Sequence, residues 1–219
     1  MAYRIITISR QFGSGGRELG KRISDILGWD YYDKEIIQKL ADDQGLDPDY
    51  VKSVLSNHGW NTIPMTFRSS FSSAVFSSGF STELRTTLLI RQREIIESIA
   101  AAGNDCIIVG RDADIILSGH SPFRIFVCAD MQSRIDRCMR FEQKKEEADR
   151  LSEKEIERNI RRIDRDRSRM RELLTGLAWG DAGAFDLSVN STGWEIKALA
   201  PAVSEFAVKW FEHNDERAG

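Results

Sequence analysis

Ser9-Arg10-Gln11-Phe12-Gly13-Ser14-Gly15-Gly16-Arg17-Glu18 is the stretch that decides the fold. It follows a short β-branched run, Tyr3 to Ser9 (YRIITIS), and leads into Leu19, Ile23, Ile26 and Leu27 at helical spacing. The order is strand, glycine loop, helix. Gly13, Gly15 and Gly16 let backbone amides turn inward and close on an anion at a helix N-terminus, where the helix dipole adds positive potential. Such a phosphate site needs no side chain. The bland alternative is a strand-to-helix turn that merely happens to be glycine-rich; the position directly after the first strand favours the phosphate.

Working outward, Asp30 to Tyr32 reads as a second short strand and Lys34 to Asp42 as a helix carrying Ile36, Ile37 and Leu40. A turn at Gly45 to Pro48 leads into another short helix. From Gly59 to Thr82, serines interleave with aromatics (GWNTIPMTFRSSFSSAVFSSGFST) and fix neither a helical nor a strand period, which reads as a mobile or substrate-covering segment. A long helix is expected from Glu83 to about Ala102, stopped by Gly103 and Asn104. Cys106 to Val109 is the next buried strand and ends in Gly110-Arg111-Asp112; Arg124 to Cys128 and Leu187 to Asn190 are two more. This alternation predicts an α/β fold with a parallel sheet covered on both faces and ligands at the carboxyl ends of the strands. Phe141 to Glu157 is charge-dense, without an apolar stripe wide enough for a core helix, and reads as surface or lid. The residues from His213 onward read as frayed.

The 219 residues, 41% of them hydrophobic, suffice for one substantial domain with its own core. Cys106, Cys128 and Cys138 have no zinc-like spacing and cannot all pair, so a reducing, cytoplasmic setting is expected. No apolar run approaches the roughly 20 residues of a membrane span, and the N-terminus enters the first strand without a leader-like stretch. A net charge of −3 argues against generic nucleic-acid binding, yet eleven arginines fall between Arg134 and Arg171. His58, His120 and His213 are scattered, with no partner for a triad or metal site, and the tryptophans show no stacking-platform spacing.

The glycine loop departs from G-x-x-x-x-G-K-[ST]. Arg10 replaces the first glycine, Gly16 the lysine, and Glu18 stands for the magnesium-binding hydroxyl. A charge-assisted hydrogen bond contributes about 1.5–3 kcal/mol, so loss of the lysine weakens the site without abolishing it. Arg17 or Arg10 is left to supply the missing charge; Arg17 reads equally as an ordinary solvated helix residue.

SRQFGSGGRELG, then GWDYYDKEII, then IIVGRDADIIL resemble, in this order and spacing, the cytidylate kinase-like family, a branch of the P-loop nucleoside monophosphate kinases. The resemblance covers most of the chain. It implies a P-loop NTPase-type three-layer α/β/α fold with a five-stranded parallel sheet and a helical lid. It also implies a single kinase domain over 1–219, with a monophosphate-binding region at 30–102 and a lid at 134–172. ATP and Mg2+ are the implied cofactors, and a nucleoside triphosphate donor and a nucleoside monophosphate acceptor, CMP or dCMP, the implied partners. Gly13, Ser14, Gly15, Gly16, Arg17 and Glu18 would hold the donor, joined by Arg134. Arg134 and Arg137 look like lid or hinge arginines, one of them expected in solvent. No residue is assigned to the metal.

Phosphoryl transfer asks a protein to position two anions and neutralise the charge of the moving group, and arginine clusters suit that task. Arg158 to Arg171 (RNIRRIDRDRSRMR) supplies one. On a helix Arg162, Asp166 and Arg169 share a face, while Ile156, Ile160, Ile163, Met170 and Leu174 form an apolar one. RDRSR resembles the RDR-x-R stretch of cytidylate kinases, whose arginines meet phosphates and whose aspartate meets the acceptor sugar; Arg162, Asp166 and Arg169 inherit those roles, and Arg17 joins them as a catalytic candidate. The alternative is a solvated helix laced with ion pairs. Arg111 and Asp112, from the GRD run, and Asp33 and Lys39, from YYDKEIIQK, are the acceptor-binding candidates by the same resemblance. Asp112 and Asp33 read equally as helix N-caps, and Lys39 stands where cytidylate kinases carry an arginine, offering a point charge in place of a fork.

The leading function is transfer of the γ-phosphoryl of ATP to CMP or dCMP. A P-loop kinase acting on another small acceptor, and a catalytically weakened nucleotide-binding regulator, are the alternatives. Nucleic-acid binding through the arginine helix is disfavoured by the interleaved Glu153, Glu155, Glu157, Asp164 and Asp166.

Overall fold

The computed structural model describes residues 3–55, 78–143 and 150–218. The chain divides into two compact units, Met1–Tyr32 with Gly103–Gly219, and Asp33–Ala102. The first unit carries a five-stranded, wholly parallel sheet: β1 (Ile5–Arg10), β2 (Asp30–Tyr32), β3 (Cys106–Val109), β4 (Phe123–Cys128) and β5 (Leu187–Asn190), in the order β2-β3-β1-β4-β5. Its helices are α1 (Gly16–Leu27), α5 (Ala113–Ile116), α6 (Met131–Glu142), α7 (Glu153–Thr175) and α8 (Ile196–Ala218). The second unit is helical among its described residues: α2 (Lys34–Gln44), α3 (Pro48–Leu55) and α4 (Ser78–Ala101). No described helix is long and apolar enough to cross a membrane.

The order explains where a ligand would go. β1 is central, its two neighbours β3 and β4 come later in the chain, and the connection from β3 to β4 crosses it, so a crevice opens at the carboxyl end of β1. Strands in such a sheet are covered on both faces, hence Ile5, Ile6, Thr7 and Ile8 are buried in succession. On one face Leu19 and Ile23 of α1 and Ala200, Val203 and Ala207 of α8 pack onto Ile6, Ile8, Ile107, Val109, Phe123, Ile125 and Val127. α7 uses Ile156 and Ile160 to join Ile135 of α6, with Phe12 of the glycine loop against them. In the second unit the core residues include Ile36, Ile37, Leu40, Val51, Leu88 and Ile96.

Several expected bounds are corrected. α4 begins at Ser78 rather than Glu83; residues 59–77 of the serine-rich segment lie outside the described residues. The charge-dense stretch after Phe141 gives way to α7 at Glu153, and Ile156 is core. Leu174, expected on the apolar face of that helix, is exposed; the apolar contacts of the helix with α6 are made near its N-terminus, through Ile156 and Ile160. Residues 213–218 continue α8 instead of fraying.

Candidate functional site

Between β1 and α1, residues 11–15 turn the chain. Gly13 and Gly15 adopt φ +78° and +83°, a left-handed conformation that glycine enters without cost. Every carbonyl from Arg10 to Gly15 is held by a donor. Arg167 Nη1 donates to Arg10 O at 2.8 Å, Ser14 Oγ to Gln11 O at 2.9 Å, and Arg134 Nε to Phe12 O at 2.7 Å. Arg137 Nη1 reaches Gly13 O at 3.5 Å, Ser191 Oγ donates to Ser14 O at 2.7 Å, and the Leu19 amide to Gly15 O at 2.9 Å. The amides of Gly13, Gly15 and Gly16 meet no acceptor among the described residues. A loop with its acceptors occupied and its donors open has the hydrogen-bonding capacity to accept an anion.

The arginines that brace this loop come from α6 and α7. Asp164 accepts the Phe12 amide at 2.8 Å and pairs with Arg134, which is buried. One turn on, Arg167 lies 3.6 Å from Asp164 and over the Phe12 ring. Burial lowers Arg167 to about 10, with Asp164 opposing and the positive charges of Arg111, Arg17 and Arg134 pressing the same way as burial. The positive charges gathered here attract polyanions. Beside the Arg134–Asp164 pair a cleft of about 350 Å3 opens, walled also by Arg161, Arg165 and Trp179.

At the end of β3 the backbone is strained. Gly110, Arg111 and Asp112 all have positive φ, +75°, +61° and +53°. For the two non-glycine residues this costs about 1–2 kcal/mol each, and strain of this kind gathers at functional sites. Asp112 occupies the N-cap position of α5 but its side chain makes no cap bond. Burial, reinforced by the carboxylate of Asp114, pushes Asp112 up to about 6, against the pull of Arg171, Arg111 and Arg10. Asp114 and Arg171 form a buried ion pair, and Arg171 stacks on Phe185 at 5.3 Å.

The model of the cytidylate kinase-like family matches residues 5–193. The chain belongs to the cytidylate kinase-like family. No curated protein matches it. Among solved structures, an uncharacterized protein from Eubacterium ventriosum ATCC 27560 is similar over 93% of this chain and 98% of its own, with a TM-score of 0.65 and 20% identity. Shikimate kinases from Acinetobacter baumannii, in complex with shikimate, and from Bacteroides thetaiotaomicron follow, each with a TM-score of 0.52, at 9% and 12% identity. They cover 94% and 93% of this chain and 94% and 97% of their own. At that identity they show the fold, which is that of P-loop kinases.

Within this family member the candidates named from sequence fall into distinct settings. Ser14, Gly15 and Gly16 form the turn that leads into α1, with Arg17 exposed in its first turn. Glu18 turns to Arg22 at 2.7 Å; counted from Arg10, the motif's hydroxyl position is Arg17, which corrects the assignment of that position to Glu18. Arg134 is committed to Phe12 and Asp164, and Arg137 to Ser191 O at 2.5 Å and Trp194 O at 3.1 Å, so neither is left in solvent. Arg162 is half-buried, donating to Asn159 at 3.2 Å while its Nε is buried without a partner. Asp166 is half-buried and Arg169 exposed. Asp33 and Lys39 belong to the other unit: Asp33 is buried without making a side-chain cap, and Lys39 is exposed, 4.0 Å from Asp43.

Asp164, Arg167, Arg171 and Ser191 were not singled out from sequence, yet they brace the loop and the end of β3. A signal for three of them existed. The buried face of α7 starts at Ile156 and Ile160, and continuing by four, three and four reaches Asp164, Arg167 and Arg171. The stripe simply changes from apolar to ionic where it passes the glycine loop.

Proposed function

We propose that this chain is a nucleoside monophosphate kinase that seats the phosphates of ATP on the glycine loop and transfers the γ-phosphoryl to CMP or dCMP. The observation that carries the reading is the loop itself, its carbonyls tied back and its amides open, set among Arg10, Arg17, Arg111 and Arg167. In phosphoryl transfer the protein's work is positioning and charge stabilisation, which fixed amides and arginines supply without reorganising. Arg17, Arg162 and Arg169 are the candidates to neutralise the transferring group, and Asp166 to bind the acceptor sugar. Arg111, Asp112, Asp33 and Lys39 are the candidates for the acceptor. The choice of cytidylate rests on the RDRSR and GRD runs. No three metal-ligating side chains gather among the described residues; magnesium typically binds through substrate phosphates and one or two carboxylates, keeping several waters, so the ion would arrive with the nucleotide.

A second reading, a nucleotide-binding regulator, is favoured by the lack of lysine and hydroxyl at positions 16 and 17. Coupled ADP release with Mg-ATP against CMP, dCMP, UMP, AMP, GMP and shikimate, with an acceptor-free blank and calorimetric ATP binding in parallel, separates the readings. Turnover with CMP or dCMP alone supports the kinase as proposed. Turnover only with another compound moves the acceptor, and ATP binding without turnover on any of them favours the regulator.

A further inference from the structure

The two departures at positions 10 and 16 meet in space. A Cβ built on Gly16 would stand 2.7 Å from Arg10 Cβ and 3.1 Å from its Cγ, with Val127 Cβ at 3.3 Å. The stem of Arg10 therefore fills the volume that any side chain at position 16 would need. The far end of the same side chain lies across the end of β3. A Cβ on Gly110 would fall on Arg10 Nη1 and within 2.8 Å of Cζ, so Gly110 is required there by Arg10 as well as by its own φ of +75°. The backbone of Arg10 is fixed independently, its carbonyl accepting from Arg167 at 2.8 Å.

Resting on the reading that the loop holds a nucleoside triphosphate, we infer that Arg10 is the phosphate-binding cation of this site and that Arg10 and Gly16 are one coupled exchange. The positive charge of the usual loop lysine has moved from the first turn of the helix to the last residue of the strand. The lysine position has become glycine to make room for its stem. A flexible point charge is thereby replaced by a fork capable of bidentate phosphate contact, held between β1 and β3 before the ligand arrives. Arg17, the other cation considered for this role, is exposed in the first turn of α1. By contrast Gly16 and Gly110 both accommodate Arg10. Asp112 is an acidic group within reach of Arg10's charge, and a phosphate would take over part of that partnership.

The test is calorimetric binding of Mg-ATP, with thermal melting of each protein, for the wild type, Arg10→Met, Arg10→Lys, Gly16→Lys, and the double variant Arg10→Gly with Gly16→Lys. Loss of a charged hydrogen bond predicts about ten- to a hundredfold weaker binding for Arg10→Met, and Arg10→Lys should recover part of it. Gly16→Lys alone should melt lower and bind worse than the wild type, because two stems compete for one space. The double variant, which restores the common loop, should bind at least tenfold tighter than Gly16→Lys and melt higher. Wild-type binding matched by Arg10→Met, or a double variant no better than Gly16→Lys, overturns the inference while leaving the nucleotide site standing. If Arg10→Met does not fold, the comparison of the double with Gly16→Lys decides alone. A wild type that binds no Mg-ATP removes the parent reading and this one with it.

Discussion

The carboxylate of Asp164 accepts the backbone amide of Phe12 at 2.8 Å, joining two residues 152 positions apart in the chain. The same carboxylate neutralises Arg134, whose Nε in turn holds the Phe12 carbonyl at 2.7 Å. The amide and the carbonyl of Phe12, which belong to successive loop peptides, are thus both fixed by a single ion pair. Asp164→Asn would leave the buried Arg134 guanidinium without its counter-charge. Breaking a buried pair from one side costs about 3–5 kcal/mol; Asp164 retains some solvent, so about 2–3 kcal/mol is expected from urea unfolding. ATP affinity should fall with it, since the loop loses its brace. A variant as stable as the wild type would show that the pair is incidental.

Asp112 makes the stability depend on pH in an unusual direction. Its ordinary value of 3.8 is raised to about 6 in the folded protein. The folded state therefore binds the proton more tightly than the unfolded chain, and the stability this contributes is present below pH about 4 and is lost as pH rises through about 6. Asp112→Asn keeps a residue tolerant of the left-handed region and removes the ionised form. It should be more stable than the wild type at pH 7 by about 1–3 kcal/mol, and the gap should close at pH 4. Denaturation at the two pH values measures this directly. A gap that is absent at pH 7, or unchanged between the two, would falsify the assignment.

Arg111, with φ +61°, allows a parallel test of strain against function. Arg111→Gly relieves the left-handed cost and should raise stability by up to about 1 kcal/mol, less the added freedom of the unfolded chain. If Arg111 grips the acceptor, the same change should lower kcat/KM for CMP by at least tenfold while ATP binding holds. Stability and activity moving together in the same direction would make Arg111 a structural residue only.

The contrast between these sites shows what the sequence could reveal. The central strands were legible because Ile5 to Ile8 and Cys106 to Val109 are short apolar or β-branched runs bounded by turns, and a strand buried on both faces needs little else. The glycine loop was legible for the same local reason. What failed was long-range: a charge-rich helix gives no sign of which arginine meets which carbonyl, because that depends on how α7 lies on the loop. Face counting from RDRSR drew attention to Arg162, Asp166 and Arg169, whereas continuation of the Ile156–Ile160 stripe reaches the residues that grip the loop. The positive φ values of Arg111 and Asp112 were also hidden, since arginine does not announce a left-handed backbone and aspartate, though tolerant of one, far more often adopts another.

Arg162 separates ground-state binding from transition-state stabilisation. Its Nε is buried without a partner, and one hydrogen bond to Asn159 at 3.2 Å leaves the rest of the fork uncommitted to Asp or Glu by any ion pair among the described residues. A guanidinium in that state is orientated but unspent, which suits charge that develops only as the phosphoryl group moves. Arg162→Ala should therefore lower kcat by about 10²–10³-fold, with ATP affinity changed by less than about threefold. Arg162→Lys should restore only part of the rate, because a point charge lacks the fork. Equal losses in affinity and rate would assign Arg162 to ordinary nucleotide binding, and unchanged turnover would remove it from the reaction altogether.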